Sequence, residues 1–230
     1  MKFILALLLL PTAAVSLVSC VRLLAPLAQG SSFSWNFLCG LAAYPVAHYF
    51  WHRPTRLYVL GHELSHAVAG WLSGASVHKI SVKKSSGHVV LSRSNAVVAL
   101  APYCLPFYSV LCLLLFRLAA FKFDVSPYHP YFLFAMGATL AFHIVTTAEV
   151  LLGEEQPDLR QAGGVFFSLV LIVAANSLLI AALFKVLFPQ AVDLKMFAIR
   201  VLMQTGLVWT WLALRMRSLA AWALRGDGNG

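Results

Sequence analysis

Residues 165–188 read VFFSLVLIVAANSLLIAALFKVLF. Crossing a hydrocarbon core takes about 20 consecutive apolar residues of helix. This run supplies them with a single charge, Lys185, near its end. The rest of the chain has the same character. Of its 230 residues, 60% are apolar and 11% are charged, whereas a soluble domain carries roughly a quarter of its residues as charges. The main solvent of this chain is therefore lipid, and the expected fold class is membrane all-α.

Working outward, apolar runs cover Phe3 to Leu27, Phe33 to Trp51, Leu57 to Leu72, Ala96 to Phe121, Tyr131 to Leu152 and Met196 to Leu214. Together with 165–188 they predict a polytopic helical bundle of six or seven transmembrane helices. The first run is interrupted by Pro11 and Arg22, and Leu17-Val18-Ser19-Cys20 matches a lipoprotein-type cleavage site. The residues after Cys20 stay apolar, so the run is read as a retained span and not a removed signal. Tyr49-Phe50-Trp51-His52-Arg53 suits the headgroup level, where aromatic and basic side chains gather. The i,i+4 pair His48 and His52 is read as packing within that belt.

Ser76 to Ser94 differs in kind. Val77 to Lys83 alternates, Lys84-Ser85-Ser86-Gly87 supplies a turn, and His88 to Arg93 forms a second strand. A small surface β-hairpin is expected over 76–94, with His78 and His88 solvated upon it. The domain organisation is a single integral-membrane domain, 1–221, with the hairpin as an insertion and 222–230 as a disordered tail.

The formal net charge is +9. Its basic residues sit mainly between apolar runs, where they meet anionic headgroups. No basic stripe interleaved with aromatics is present, so nucleic acid is not an expected partner. Cys20, Cys39, Cys104 and Cys112 lie in or beside apolar runs without a CxxC pair; they read as small buried residues.

The third run contains His62-Glu63-Leu64-Ser65-His66. On a helix, residues four apart stack on one face, so both imidazoles can bind one Zn2+. Glu63 stands one residue round, where its carboxylate can take a proton from a water molecule activated by the metal. With 8 histidines in 230 residues, chance supplies roughly 0.005 such patterns, so composition does not account for it. Two histidines and a glutamate on an apolar helix also cost several kcal/mol unless they are paired, metal-bound or wet. A third ligand is required. The candidates by composition are Glu149, Glu154, Glu155 and Asp158, with His143 two turns before Glu149.

At these residues the chain resembles the site-2-protease group of intramembrane zinc metallopeptidases, in its shorter bacterial branch. Gly61-His62-Glu63-Leu64-Ser65-His66-Ala67 is followed by Gly70 and Gly74, then by a glycine-containing hairpin. Ala101-Pro102-Tyr103 opens a span, and Pro157-Asp158-Leu159 precedes another apolar run. The resemblance covers Leu57 to Asn176, about half of the chain. It implies Asp158 as the third zinc ligand, although Leu159 stands where a glycine is often found. It further implies a multi-pass protein of the bacterial inner membrane that hydrolyses peptide bonds in or near transmembrane segments of membrane-protein substrates. The hairpin, through Val89 and Val90, would pair an extended substrate by strand addition. Asn176, a polar group within an apolar run, could donate to the substrate carbonyl, although an interhelical hydrogen bond is the more common role of such a residue.

Two other readings carry weight. A membrane metallopeptidase of another type would take Glu149 as its third ligand. A non-catalytic zinc-binding scaffold or a metal transporter would use the histidines without hydrolysis. Acidic residues are absent from most of the spans, which counts against ion translocation.

Overall fold

The computed structural model describes residues 1–29, 32–51, 54–153 and 156–226. Helix α1 (Lys2–Arg22) continues into the short α2 (Leu24–Ala28), and α3 (Ser32–Trp51) precedes α4 (Thr55–Leu72). Strands β1 (Val77–Val82) and β2 (Gly87–Leu91) follow, then α5 (Ala96–Cys104), α6 (Phe107–Ala119) and α7 (His129–Leu152). The six-residue α8 (Pro157–Ala162), α9 (Val165–Leu187) and α10 (Leu194–Gly226) complete the order.

Among the described residues, four helical stretches are long and apolar enough to cross a membrane: Lys2–Ala28, Ser126–Leu152, Val165–Leu187 and Leu194–Trp222. The bent pair α5–α6 makes a fifth if counted as one span. The protein is thus a mostly helical membrane protein, but the expected six or seven spans are too many. The residues explain the difference. Helix α3 draws its apolar character largely from aromatic rings and carries Asn36, Tyr44 and His48. Helix α4 has only 18 residues and places Arg56, His62, Glu63 and His66 among them. The run Ala96 to Phe121 is broken as well: Leu105 is extended ahead of Pro106, as the residue before a proline tends to be, and the chain turns by 75°. At the other end, α10 continues to Gly226, past the start of the expected tail, and 227–230 lie outside the described residues.

Two glycines bring α3 and α7 together. A methyl group on Gly40 would overlap the Phe134 carbonyl, and one on Gly137 would overlap that of Phe37. Small residues at such a crossing let backbones approach, which is how helices associate where lipid offers no hydrophobic drive. Beside the crossing, the fully buried Phe37 meets Phe184 and Phe188 edge-on, each at 5.5 Å. This ties α3 and α7 to the C-terminal half of α9. A second apolar cluster, Ala99, Leu100, Tyr103, Leu159, Ala162 and Ile172, joins α5, α8 and the first half of α9. It holds the short α8 in place. Lys2 reaches the same corner, donating to the Ala162 carbonyl at the end of α8 over 3.0 Å.

The hairpin forms as expected, antiparallel, with Val82 opposite Gly87 and an irregularity between Val77 and Lys79. His78 and His88 are both exposed. Its β2 lies along α4. Gly87 meets Val59 and Glu63, and the Leu91 side chain meets Gly70. The exit from α4 toward β1 turns at Gly74 with φ +73, a left-handed position that glycine occupies without strain. Arg93 donates to the Ser73 and Gly74 carbonyls that end the helix.

Candidate metal centre

Helix α4 places His62 and His66 one turn apart, with their Nε2 atoms 3.2 Å from each other. The Asp158 carboxylate arrives from α8, and its Oδ2 lies 3.5 Å from each Nε2. Donor atoms bound at about 2.0–2.2 Å in tetrahedral geometry are roughly 3.3–3.6 Å apart. The triangle therefore has the size of one face of a tetrahedral site, and these three residues can hold a metal ion. No other group of three His, Cys, Asp or Glu residues meets that test among the described residues.

Hydrogen bonds around the triangle orient it. His66 Nδ1 is 2.8 Å from the Val98 carbonyl of α5. A carbonyl only accepts, so Nδ1 carries the proton of the neutral ring and Nε2 turns its lone pair toward the centre. His62 Nδ1 is hydrogen bonded to the Tyr58 hydroxyl at 3.3 Å, one turn earlier on α4. Asp158 Oδ2 accepts from the Tyr103 hydroxyl at 3.0 Å. Partners of this kind fix tautomer and ring orientation at metal sites. Burial opposes ionisation of Asp158, but the hydrogen bonds that the facing imidazoles donate when protonated, together with that of the Tyr103 hydroxyl, outweigh it and hold the carboxyl below its usual range. A lone-pair nitrogen facing a carboxylate at this distance is short of a positive charge, which a cation would supply.

Glu63 is buried, with 6% of its surface exposed, on the side of α4 covered by β2. Beside His62 a cavity of about 20 Å³ lies between α4, α5, α6 and α7, lined in part by Tyr58, Ser65, His143 and Thr146. That is room for about one water molecule among polar partners.

The other expected residues fall elsewhere. The Glu149 carboxylate faces α3, with Oε2 3.7 Å from His48 Nε2. His48 also bonds the Tyr44 hydroxyl at 3.1 Å. His52, Glu154 and Glu155 lie outside the described residues. On β2, Val90 is exposed and Val89 is half-buried. Asn176 gives both amide protons to backbone, one to the Tyr103 carbonyl at 2.7 Å and one to Ile172 at 2.9 Å. Donating to a substrate would require one of these bonds to open.

The parts that Tyr58 and Tyr103 play at the site were not read from the sequence. Tyr58 stands four residues before His62, a spacing that marks it as a neighbour on the helix face. Nothing in the sequence links Tyr103 to Asp158, 55 positions away.

No family model, curated protein or solved structure matches this chain.

Proposed function

We propose that this protein is a zinc metalloendopeptidase of the site-2-protease type, cleaving membrane-protein substrates in or next to a transmembrane segment at the bacterial inner membrane. The observation that carries the reading is the triangle of His62 Nε2, His66 Nε2 and Asp158 Oδ2, with edges of 3.2, 3.5 and 3.5 Å. Two nitrogens and a carboxylate oxygen suit zinc. Three protein ligands would leave one position of a four-coordinate zinc to substrate or water, as a catalytic site requires.

Zinc held there supplies Lewis acidity, which makes water nucleophilic near neutral pH and polarises the scissile carbonyl. The chain's own residues do the rest. His62, His66 and Asp158 bind the ion, while Val98 and Tyr58 set the two rings. Glu63, next to His62 on the helix, accepts the proton of the attacking water and returns it to the leaving amine. The apolar helices limit bulk water around the site, which strengthens each of these interactions. The β-hairpin, lying over Glu63, offers backbone groups to an unwound substrate segment by strand addition.

The test is Glu63→Gln, assayed on a transmembrane peptide in proteoliposomes beside zinc content by elemental analysis. The reading expects cleavage to be lost and zinc to be retained. Loss of zinc with this change would assign Glu63 a ligand role. Wild-type protein that binds zinc yet cleaves no membrane substrate would favour a non-catalytic scaffold.

A further inference from the structure

The Asp158 carboxylate sits in the first turn of a six-residue helix. A carboxylate turns easily about its last torsion, which is broad. An outside group is needed to aim one oxygen at the histidines.

Tyr103 is placed to do this. Its hydroxyl donates to Oδ2, the same oxygen that lies 3.5 Å from both Nε2 atoms. The residue is 1% exposed, and its ring packs edge-on against His62 with centroids 5.4 Å apart. A buried tyrosine hydroxyl needs a partner, and here the partner is Asp158. The ring and hydroxyl thus touch two corners of the triangle at once.

The backbone of Tyr103 is held in turn. Asn176 Nδ2 donates to the Tyr103 and Ile172 carbonyls. Because both carbonyls can only accept, the orientation of the amide is determined and its Oδ1 must be the acceptor on the other side. His143 Nε2 lies 2.9 Å from that oxygen and therefore carries the proton. A chain of hydrogen bonds runs from α7 through α9 and α5 to the carboxylate on α8.

We propose that Tyr103 is the positioning residue that aims Asp158 Oδ2 at the metal, with Asn176 and His143 holding Tyr103 at the required depth. This rests on the metal-site reading above. It reassigns Asn176 from contact with substrate to support of the ligand set.

The experiment uses full-length protein in detergent or nanodiscs, as wild type, Tyr103→Phe and Asn176→Ala. Zinc affinity is measured by competition with a chromophoric chelator, and the visible spectrum of the cobalt-substituted protein reports ligand geometry. Tyr103→Phe keeps the ring and removes only the hydroxyl. It is expected to weaken zinc binding about 10- to 100-fold and to shift the cobalt bands. Asn176→Ala, which frees the Tyr103 carbonyl without touching the triangle, should move both readouts the same way by a smaller factor. It also serves as the test should Tyr103→Phe not fold. Affinities within twofold of wild type would overturn the role of Tyr103 and leave the metal site standing. So would weaker binding with an unchanged cobalt spectrum, since that reports lost folded protein and not an altered ligand. Wild type that binds neither metal would overturn the metal-site reading itself.

Discussion

Gly87 lies directly over Glu63: a methyl group at Gly87 would come 2.8 Å from Glu63 Oε1 and 2.6 Å from its Cγ. The first residue of β2 is thus packed on the side chain proposed as general base. A real methyl group there must displace either the carboxylate or the strand. Gly87→Ala is expected to lower peptidase activity about 10- to 100-fold, the scale of loss when a reacting group is displaced by an ångström or so. Zinc content should be unchanged, because Glu63 is not among the three proposed ligands. Proteolysis of a membrane substrate beside elemental analysis checks both halves.

The triangle predicts the metal content of variants. Wild type should carry close to one zinc per chain, and His62→Ala, His66→Ala and Asp158→Ala should each lose most of it. Glu149→Ala should retain it, since that carboxylate faces His48. Elemental analysis of the purified variants decides this. Zinc lost with Glu149→Ala but kept with Asp158→Ala would reverse the assignment of the third ligand.

Zinc binding should weaken on acidification, and the imidazoles should be the cause. Metal ligands bind in their deprotonated forms, so protons compete for Nε2 of His62 and His66. Asp158 behaves differently. Its carboxyl is held below the usual carboxylate range, so it stays ionised as the pH falls through the region where carboxylates ordinarily protonate, about 3.9 for Asp. The sign is that affinity is full at neutral pH and is lost as the pH falls. A chelator competition measured at several pH values checks it. Affinity that rises on acidification would contradict the ligand set.

Gly40 and Gly137 should be intolerant of larger residues. Each would drive a methyl group into a backbone carbonyl of the facing helix, and backbone cannot rotate away as a side chain can. Overpacking of this kind costs typically about 1–3 kcal/mol. Gly40→Ala and Gly137→Ala should each lower the thermal midpoint of the detergent-solubilised protein. Gly206→Ala, with nothing within 4 Å of the added atom, should not.

Local chemistry in the sequence determined much of this protein. A stretch such as 165–188 has no stable place in water, so its helix and its lipid environment follow from composition alone. Helical spacing puts His62, Glu63 and His66 together, because residues four apart on an α-helix stack whatever surrounds them. Alternation around Lys84-Ser85-Ser86-Gly87 likewise marked the hairpin to within a few residues.

Relations between distant segments were decided only by packing. The number of spans depended on whether α3, α4 and the bent α5–α6 pair have the length and apolarity to cross a bilayer, which apolar runs alone overstate. Which carboxylate meets the histidines depended on which helix faces α4: burial of Leu159 and Ala162 against α5 turns Asp158 toward them, while Glu149 faces α3. Tyr103 has no local signature, since its partner is 55 residues away. Hydrogen bonds of that reach exist only once the helices are assembled, and for that reason the candidate metal site was half legible in one helix and completed by the fold.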